Sequence, residues 1–217
     1  MDRLFDVIEV VVYTLLAMLA AWGAYCAVIA WRRVSLVRFR SDEHHTEFLE
    51  QMDRRVRAGD WSGAEEYCSG DRRAMPQLAA YAISRRDLDQ TALRRQVADR
   101  FQREVLTDLD YRLSWVSTIV KAAPMVGLLG TVMGMMGAFT NLASGSDVDP
   151  QRMAEDIGFA LITTACGLGI AIPLVLCSAA ISVRLRKLEE SVSAGVAELL
   201  HSLQAVLPAR RREAFHG

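Results

Sequence analysis

Residues 116–143 read VSTIVKAAPMVGLLGTVMGMMGAFTNLA and contain one charge, Lys121. A helix rises about 1.5 Å per residue and the hydrocarbon core of a bilayer is about 30 Å thick, so this segment is long enough to cross a membrane. Lys121 lies near its start, where the ammonium group can reach the lipid headgroups. The segment therefore predicts a transmembrane helix.

Two further segments have the same character. Residues 10–30 and 157–183 carry no charge, and each can span a bilayer. A cleaved signal peptide is the alternative for the first, but its apolar run is longer than usual and its leader is acidic. We therefore predict an all-α membrane protein with three transmembrane helices and long cytoplasmic helical extensions. The predicted segments are 1–31 (outward N-terminus and first span), 32–115 (cytoplasmic helical domain), 116–143 (second span), 144–156 (outward loop), 157–183 (third span) and 184–217 (cytoplasmic C-terminal helix).

Basic residues set the predicted orientation, because Lys and Arg are retained on the cytoplasmic side of a membrane. They cluster after the first span, at the start of the second and after the third. Acidic residues dominate the loop 144–156. The N-terminus is therefore predicted to face outward and the C-terminus to face the cytoplasm.

The cytoplasmic segments are predicted to be helical. The helix of the first span is expected to continue to a turn at Gly59, and Ser62 with Glu65 has the form of a capping box that opens a short helix. From about Asp89 one unbroken helix is expected to run into the second span. Basic and acidic residues are nearly balanced in 32–115, which argues against a nucleic-acid partner.

The second and third spans each carry a stripe of small residues with one threonine. The stripes are Pro124, Gly127, Thr131, Gly134 and Ala138 in the second span, and Ala160, Thr164, Gly167 and Ala171 in the third. Composition alone favours tight helix packing, since small faces are common between membrane helices. A pore lining is the alternative.

Carboxylate and imidazole groups are missing from all three predicted spans, which contain no Asp, Glu or His. Proton relays across membranes depend on such groups. If protons cross here, a second protein must bring a carboxylate against the small faces, where Thr131 and Thr164 can hydrogen-bond it. The alternative is that nothing crosses and the chain is an anchor.

The water-facing segments show no nucleophile–base pair, metal-ligand cluster or phosphate-binding loop. We therefore expect neither an enzyme nor a bound cofactor or metal. The methionines of the second span are interpreted as packing residues. The adjacent His44 and His45 point about 100° apart on a helix and are interpreted as solvated.

Two stretches carry a family resemblance. Residues 123–135 read APMVGLLGTVMGM, and residues 160–168 read ALITTACGL and are followed by AIP at 171–173. They resemble the second-span and third-span signatures of the ExbB/TolQ/MotA proton-channel family, in the expected order. MotA, with four spans, is the more distant relative.

The resemblance implies a ring-forming homo-oligomer, a pentamer in ExbB-like proteins, in the bacterial inner membrane with its N-terminus in the periplasm. The second and third spans would enclose single-span helices of an ExbD/TolR-like partner, whose membrane Asp carries the proton. The two channel threonines of the family map onto Thr131 and Thr164, the same residues that the stripes select, and Thr163 is an extra hydroxyl on the neighbouring face. The implied pore-face packing positions are Pro124, Gly127, Gly130, Gly134, Ala160, Gly167, Ala171 and Pro173.

One position departs from the family pattern. ExbB and TolQ carry a glutamate five residues before the third-span threonine, and here that position is Phe159. Glu155 and Asp156 lie about one turn further out and are not expected to replace it. The departure suggests a paralogous system. The expected function is a pore or stator subunit that uses the proton-motive force to drive an envelope process, and the alternative is a non-conducting scaffold that positions a partner.

Overall fold

A computed structural model of the chain describes residues 2–39, 42–143 and 150–213. All regular elements in these ranges are helices, which confirms the all-α fold class. The elements are α1 (Asp2–Val37), α2 (Asp42–Ala58), α3 (Trp61–Cys68), α4 (Ala74–Ser84), α5 (Gln90–Phe101), a π-helical turn (Gln102–Leu106), α6 (Thr107–Ala143) and α7 (Pro150–Glu213).

Three helical stretches are long and apolar enough to cross a membrane. They lie within Val7–Val37, Gln90–Ala143 and Pro150–Val206. All three stretches carry large apolar side chains that are exposed. Val10, Leu128 and Leu176 are each at least 60% exposed. Large exposed apolar surfaces mark contact with lipid or with another protein, so the three predicted spans agree with the structure.

One compact unit comprises α1 up to Ala30 together with Tyr111–Ala180. Its core joins α1, α6 and α7 through five buried residues: Cys26, Ala27, Val116, Ile119 and Leu174. A Cβ built on Gly23 of α1 would lie 2.6 Å from Leu174 Cδ1. The missing side chain of this glycine therefore lets α1 pack closely against its neighbours.

The second compact unit comprises Trp31–Asp110 and α7 from Ile181 onward. The leucine and valine pattern predicted for the C-terminal helix is buried here, as at Leu188, Val192 and Leu203. A Cβ on Gly195 of α7 would lie 3.1 Å from the Met75 side chain of α4. The second half of α7 therefore packs along the shorter helices.

An additional bond ties α7 to α2 in this unit. Ser202, which is buried, donates its hydroxyl hydrogen to Asp53 of α2, and Arg57 pairs with the same carboxylate at 2.7 Å. The Ser202 hydrogen bond is the main cause that holds the pKa of Asp53 below its ordinary value, and the Arg57 contacts lower it further. The charged form of Asp53 is thus the form that the fold favours.

The stability of this unit is predicted to depend on pH through Asp53. Because the folded pKa is lowered, the stabilisation is present above the unfolded pKa of about 3.9 and is lost as pH falls through the folded value. We expect Ser202→Ala to lower the free energy of unfolding by about 1–2 kcal/mol at pH 7 and by much less near pH 2. Chemical denaturation at both pH values measures this difference. Ser191→Ala is the matched control, because the Ser191 hydroxyl donates within α7 to the Lys187 carbonyl; an equal loss in both variants would contradict the prediction.

The predicted continuation of the first helix to Gly59 is wrong. Helix α1 ends at Val37 and α2 begins at Asp42. Phe39 leaves the helix and packs its ring 5.6 Å from that of Phe48, with the Arg73 guanidinium 4.5 Å above it. Burial of an aromatic ring against tertiary neighbours has overridden local helix propensity.

The predicted capping box at Ser62 and Glu65 is also wrong. The cap of α3 is Asp60, whose carboxylate accepts a hydrogen bond from the Gly63 amide at 2.9 Å. Aspartate is as good a cap as serine, and at this position it places Trp61 at the start of the helix. The short helix itself is present, as predicted.

Two boundaries near the spans need correction as well. The helix expected from Asp89 is interrupted by the π-helical turn Gln102–Leu106, where Thr107 donates to the Gln102 carbonyl five residues back. The predicted loop 144–156 is helical from Pro150, since proline suits the first turn of a helix. Residues 144–149 lie outside the described residues.

Candidate functional site

Helices α6 and α7 touch backbone to backbone along their small-residue stripes. A Cβ built on Gly127 would lie 2.7 Å from the Thr163 carbonyl oxygen, and one on Gly167 would lie 2.6 Å from the Ala123 carbonyl oxygen. Neither position accepts a larger side chain unless the helices move apart. We call this contact the α6/α7 seam. Its members are Ala123, Gly127, Gly130, Thr131, Gly134 and Gly137 of α6, and Asp156, Ala160, Thr163, Thr164 and Gly167 of α7.

Thr131 and Thr164 meet in the middle of this seam. Their hydroxyl oxygens are hydrogen-bonded to each other. Thr131 Oγ1 also lies 3.0 Å from the Ala160 carbonyl oxygen, and Thr164 Oγ1 lies 3.2 Å from the Gly127 carbonyl oxygen. Because each hydroxyl has one hydrogen, one threonine donates to the other, and the second can donate to the carbonyl of the facing helix. The structure therefore brings together the two threonines that the stripes select.

Both threonines of the pair are half-buried, which leaves an edge of the seam open. A hydroxyl can donate one hydrogen bond and accept two. It carries no formal charge and does not titrate near neutral pH. The pair can therefore order water or bind a carboxylate that approaches the open edge, but it cannot store a proton by itself.

Thr163 lies in a different environment. It is fully buried, with its hydroxyl bonded to the Phe159 carbonyl at 2.9 Å and the Ala160 carbonyl at 3.0 Å on its own helix. A Cβ on Gly130 would overlap its side chain, so the glycine is what makes room for it. Thr163 therefore fills the seam and does not face the open edge.

The other predicted packing positions differ in their burial. Gly134, Ala160 and Ala171 are buried. Pro124 is half-buried and lies inside α6 without ending it. Pro173 is exposed and therefore lies off the seam.

Phe159, the departure from the family pattern, also lies outside the Thr131–Thr164 contact. Its ring packs edge-on against Tyr13 of α1 at 5.5 Å. An aromatic side chain at this position therefore joins α7 to α1. A charged group here would have to be buried against an aromatic ring.

Sequence reasoning missed the continuation of the seam to the end of α6 and the start of α7. Asn141 donates to the Asp156 carboxylate at 3.0 Å, and Gly137 lies directly against that carboxylate. The signal was present in the spacing: Gly137 and Asn141 continue the stripe of α6 by three and seven residues beyond Gly134, and Asp156 precedes Ala160 by one turn. Asp156 lies within the loop predicted at 144–156 and Asn141 close to the start of that loop, so a pairing of the two across the seam was not expected.

The three apolar helices and the glycine-packed, hydroxyl-bearing seam define a multi-pass helical membrane protein. Residues 71–194 match the model of the MotA/TolQ/ExbB proton channel family. The chain belongs to that family.

Individual relatives agree with this assignment. The chain is 32% identical over 182 residues to the biopolymer transport protein ExbB of Xanthomonas campestris pv. campestris, which covers 79% of this chain and 71% of that protein. It is 36% identical over 85 residues to the Tol-Pal system protein TolQ of Haemophilus influenzae, covering 39% of this chain and 37% of TolQ. A putative ExbB-like protein 2 of Helicobacter pylori is 41% identical over 75 residues, which are 35% of this chain and 50% of that protein.

Proposed function

We propose that this chain is the pore or stator subunit of an inner-membrane proton channel that uses the proton-motive force to drive a process in the cell envelope. Identical copies, five in this proposal, form a ring whose second and third spans surround the membrane helix of an ExbD/TolR-like partner. The N-terminus faces the periplasm and the C-terminus the cytoplasm. The chain catalyses no reaction of its own and needs no cofactor.

The hydroxyl pair of Thr131 and Thr164 carries this proposal. It lies at an open edge of the seam between two helices whose predicted spans contain no Asp, Glu or His. A carboxylate on a partner helix would find donors and acceptors there, fixed in position by hydrogen bonds to the facing backbone. Preorganised hydroxyls of this kind can stabilise a carboxylate or a water molecule as a proton arrives and leaves.

A specific observation favours a second function, a non-conducting scaffold. The hydroxyls of Thr131 and Thr164 already bond to carbonyls within the same chain. Hydrogen bonds between helices of this kind are sufficient for a packing role in membranes. In this case the complex would position a partner in the envelope without any flow of protons.

Reconstitution of the native complex separates the two functions. The complex would be purified in mild detergent from the membranes in which it is made and placed in liposomes that contain a pH-sensitive dye. A potassium gradient with valinomycin then imposes a membrane potential. We expect a co-purifying single-span protein with an Asp in its span, and proton entry that follows the imposed potential.

The partner then supplies the sharpest comparison. Substituting its membrane Asp by Asn is expected to abolish proton entry while the complex remains assembled, because the carrier group no longer titrates. Purified complexes that contain this chain alone would reject the proposal, as would flux that the Asn variant leaves unchanged. An assembled two-protein complex without flux would instead support the scaffold.

A further inference from the structure

A second polar pair lies along the seam, between Asp156 of α7 and Asn141 of α6. The Asn141 amide donates to the Asp156 carboxylate at 3.0 Å, and the Asp156 side chain is half-buried. A Cβ built on Gly137 would lie 3.1 Å from the carboxyl carbon and from both carboxylate oxygens. The carboxylate is thus held by an amide and lies in a space that exists because Gly137 has no side chain.

The carboxylate is in line with the hydroxyl pair. Asp156, Ala160 and Thr164 follow one another at steps of four residues and share one face of α7. At 1.5 Å per residue, Asp156 lies roughly 12 Å along the helix from Thr164. Between them, Ala160 faces Gly134, so only small residues lie between the two groups on this face of α7.

Asp156 differs from the threonines because a carboxyl group takes up and releases a proton at accessible pH. Its partner on the facing helix, Asn141, is neutral, so no fixed opposite charge from that side locks Asp156 in the ionised form. The charged groups that act on Asp156 are Arg152 and Glu155, both on α7.

We infer that Asp156 is a proton-binding residue of the channel, placed on the outward side of the Thr131–Thr164 pair. This inference rests on the proposed function and adds a residue to its pathway. The carboxylate accepts one proton from a hydronium ion, which becomes water, and the resulting carboxylic acid is held by Asn141. It then releases a proton to the next water or carboxylate along the open edge. Each of these two transfers breaks one O–H bond and forms another, and Asp156 returns to its starting state.

A purely structural role would make a different prediction. If Asp156 only joins α7 to α6, an asparagine can replace it, since its side-chain oxygen can accept the same hydrogen bond from Asn141. Asp156→Asn is therefore nearly isosteric and removes the titration. Asp156→Glu keeps the titration and moves the carboxyl group by one methylene.

The test uses the whole complex in liposomes under an imposed potential. We expect Asp156→Asn to reduce proton flux at least about tenfold, which corresponds to about 1.4 kcal/mol in the barrier, with assembly and melting temperature unchanged. Asp156→Glu is expected to conduct with a shifted pH profile. Glu155→Gln is the matched control, because Glu155 is exposed on the same helix, and it should conduct as the wild type does.

The outcomes distinguish a failure of the role of Asp156 from a failure of the proposed function. A conducting wild type with an equally conducting Asp156→Asn overturns the role of Asp156 and leaves the proposed function intact. A wild type without flux overturns the proposed function, and this inference with it. As a direct measurement, pH-titrated infrared difference spectra of the wild-type complex should show carboxylic acid absorption, of which Asp156→Asn removes one component while that of the partner's Asp remains; spectra in which the variant keeps the whole absorption also overturn the inference.

Discussion

Gly167→Ala is expected to push α6 and α7 apart and to destabilise the membrane unit, whereas Gly169→Ala, two residues further along the same helix, is expected to leave it unchanged. A Cβ on Gly167 would lie 2.6 Å from the Ala123 carbonyl oxygen, and backbone atoms cannot turn away as a flexible side chain can. A Cβ on Gly169 meets nothing within 4 Å. The two glycines therefore share a sequence environment and differ in what a methyl group would touch.

The expected size of the effect follows from two opposed contributions. Overpacking costs about 1–3 kcal/mol, and the better helix propensity of alanine returns up to about 1 kcal/mol. With the full propensity gain, Gly167→Ala should therefore lower the free energy of unfolding by up to about 2 kcal/mol, and Gly167→Leu by considerably more. Thermal unfolding in detergent measures both, with Gly169→Ala and Gly169→Leu as the controls. Equal melting temperatures for Gly167→Leu and Gly169→Leu would show that the helices are not in backbone contact at this point.

The membrane part of the fold could be predicted from the sequence because apolar length alone determines whether a segment can span a bilayer. Residues 116–143 illustrate this: their predicted helix is present, and Pro124 within it does not end it. The cytoplasmic part was predicted less well. Helix α1 ends before Phe39, because the Phe39 ring packs against Phe48 and Arg73. These two residues lie 9 and 34 positions further along the chain. Local spacing carries no information about such partners.

For the site, as for the fold, local sequence spacing indicates which residues share a helix face, but not which tertiary contacts that face makes. The stripes selected Thr131 and Thr164 because small residues at steps of three and four lie on one helix face. They could not show whether each stripe faces the other helix of the same chain or a different protein, since both surfaces need small residues. The structure places the two stripes against each other, with the threonines at the open edge. Asp156 was passed over because its position becomes informative only when Gly137 and Asn141 are brought against it.

Thr131 and Thr164 make hydrogen bonds within the chain, so mutating them can separate a packing role from a role in the proton pathway. Each hydroxyl contacts a carbonyl of the facing helix, so substitution by valine removes a link between α6 and α7 as well as a polar group of the pathway. Hydrogen bonds between membrane helices are worth about 0.6 kcal/mol on average. A packing role alone therefore predicts only a small loss of stability and a complex that still assembles and behaves as before.

Thr131→Val and Thr164→Val are expected to abolish gradient-driven proton flux while the complex remains assembled. Valine keeps the shape of threonine and removes the hydroxyl that would bind the proton-carrying carboxylate. A hydrogen bond to a charged group contributes about 1.5–3 kcal/mol, which corresponds to a roughly ten- to hundredfold loss of rate for each substitution. Liposome flux under an imposed potential measures the loss, and gel filtration of the same samples measures assembly.

Two kinds of control fix the interpretation of that result. Thr131→Ser and Thr164→Ser keep the hydroxyl and should retain most of the flux. Thr140→Val removes a hydroxyl from the same helix α6, but one that bonds to the Met136 carbonyl of its own turn, and it should conduct as the wild type does. Full flux in Thr131→Val and Thr164→Val would remove the basis for assigning the pathway to this pair and would leave the seam with a packing role. Loss of flux in these two alone, with Thr140→Val and both serine variants active and all five complexes assembled, would show that the hydroxyls at the α6/α7 contact take part in proton movement.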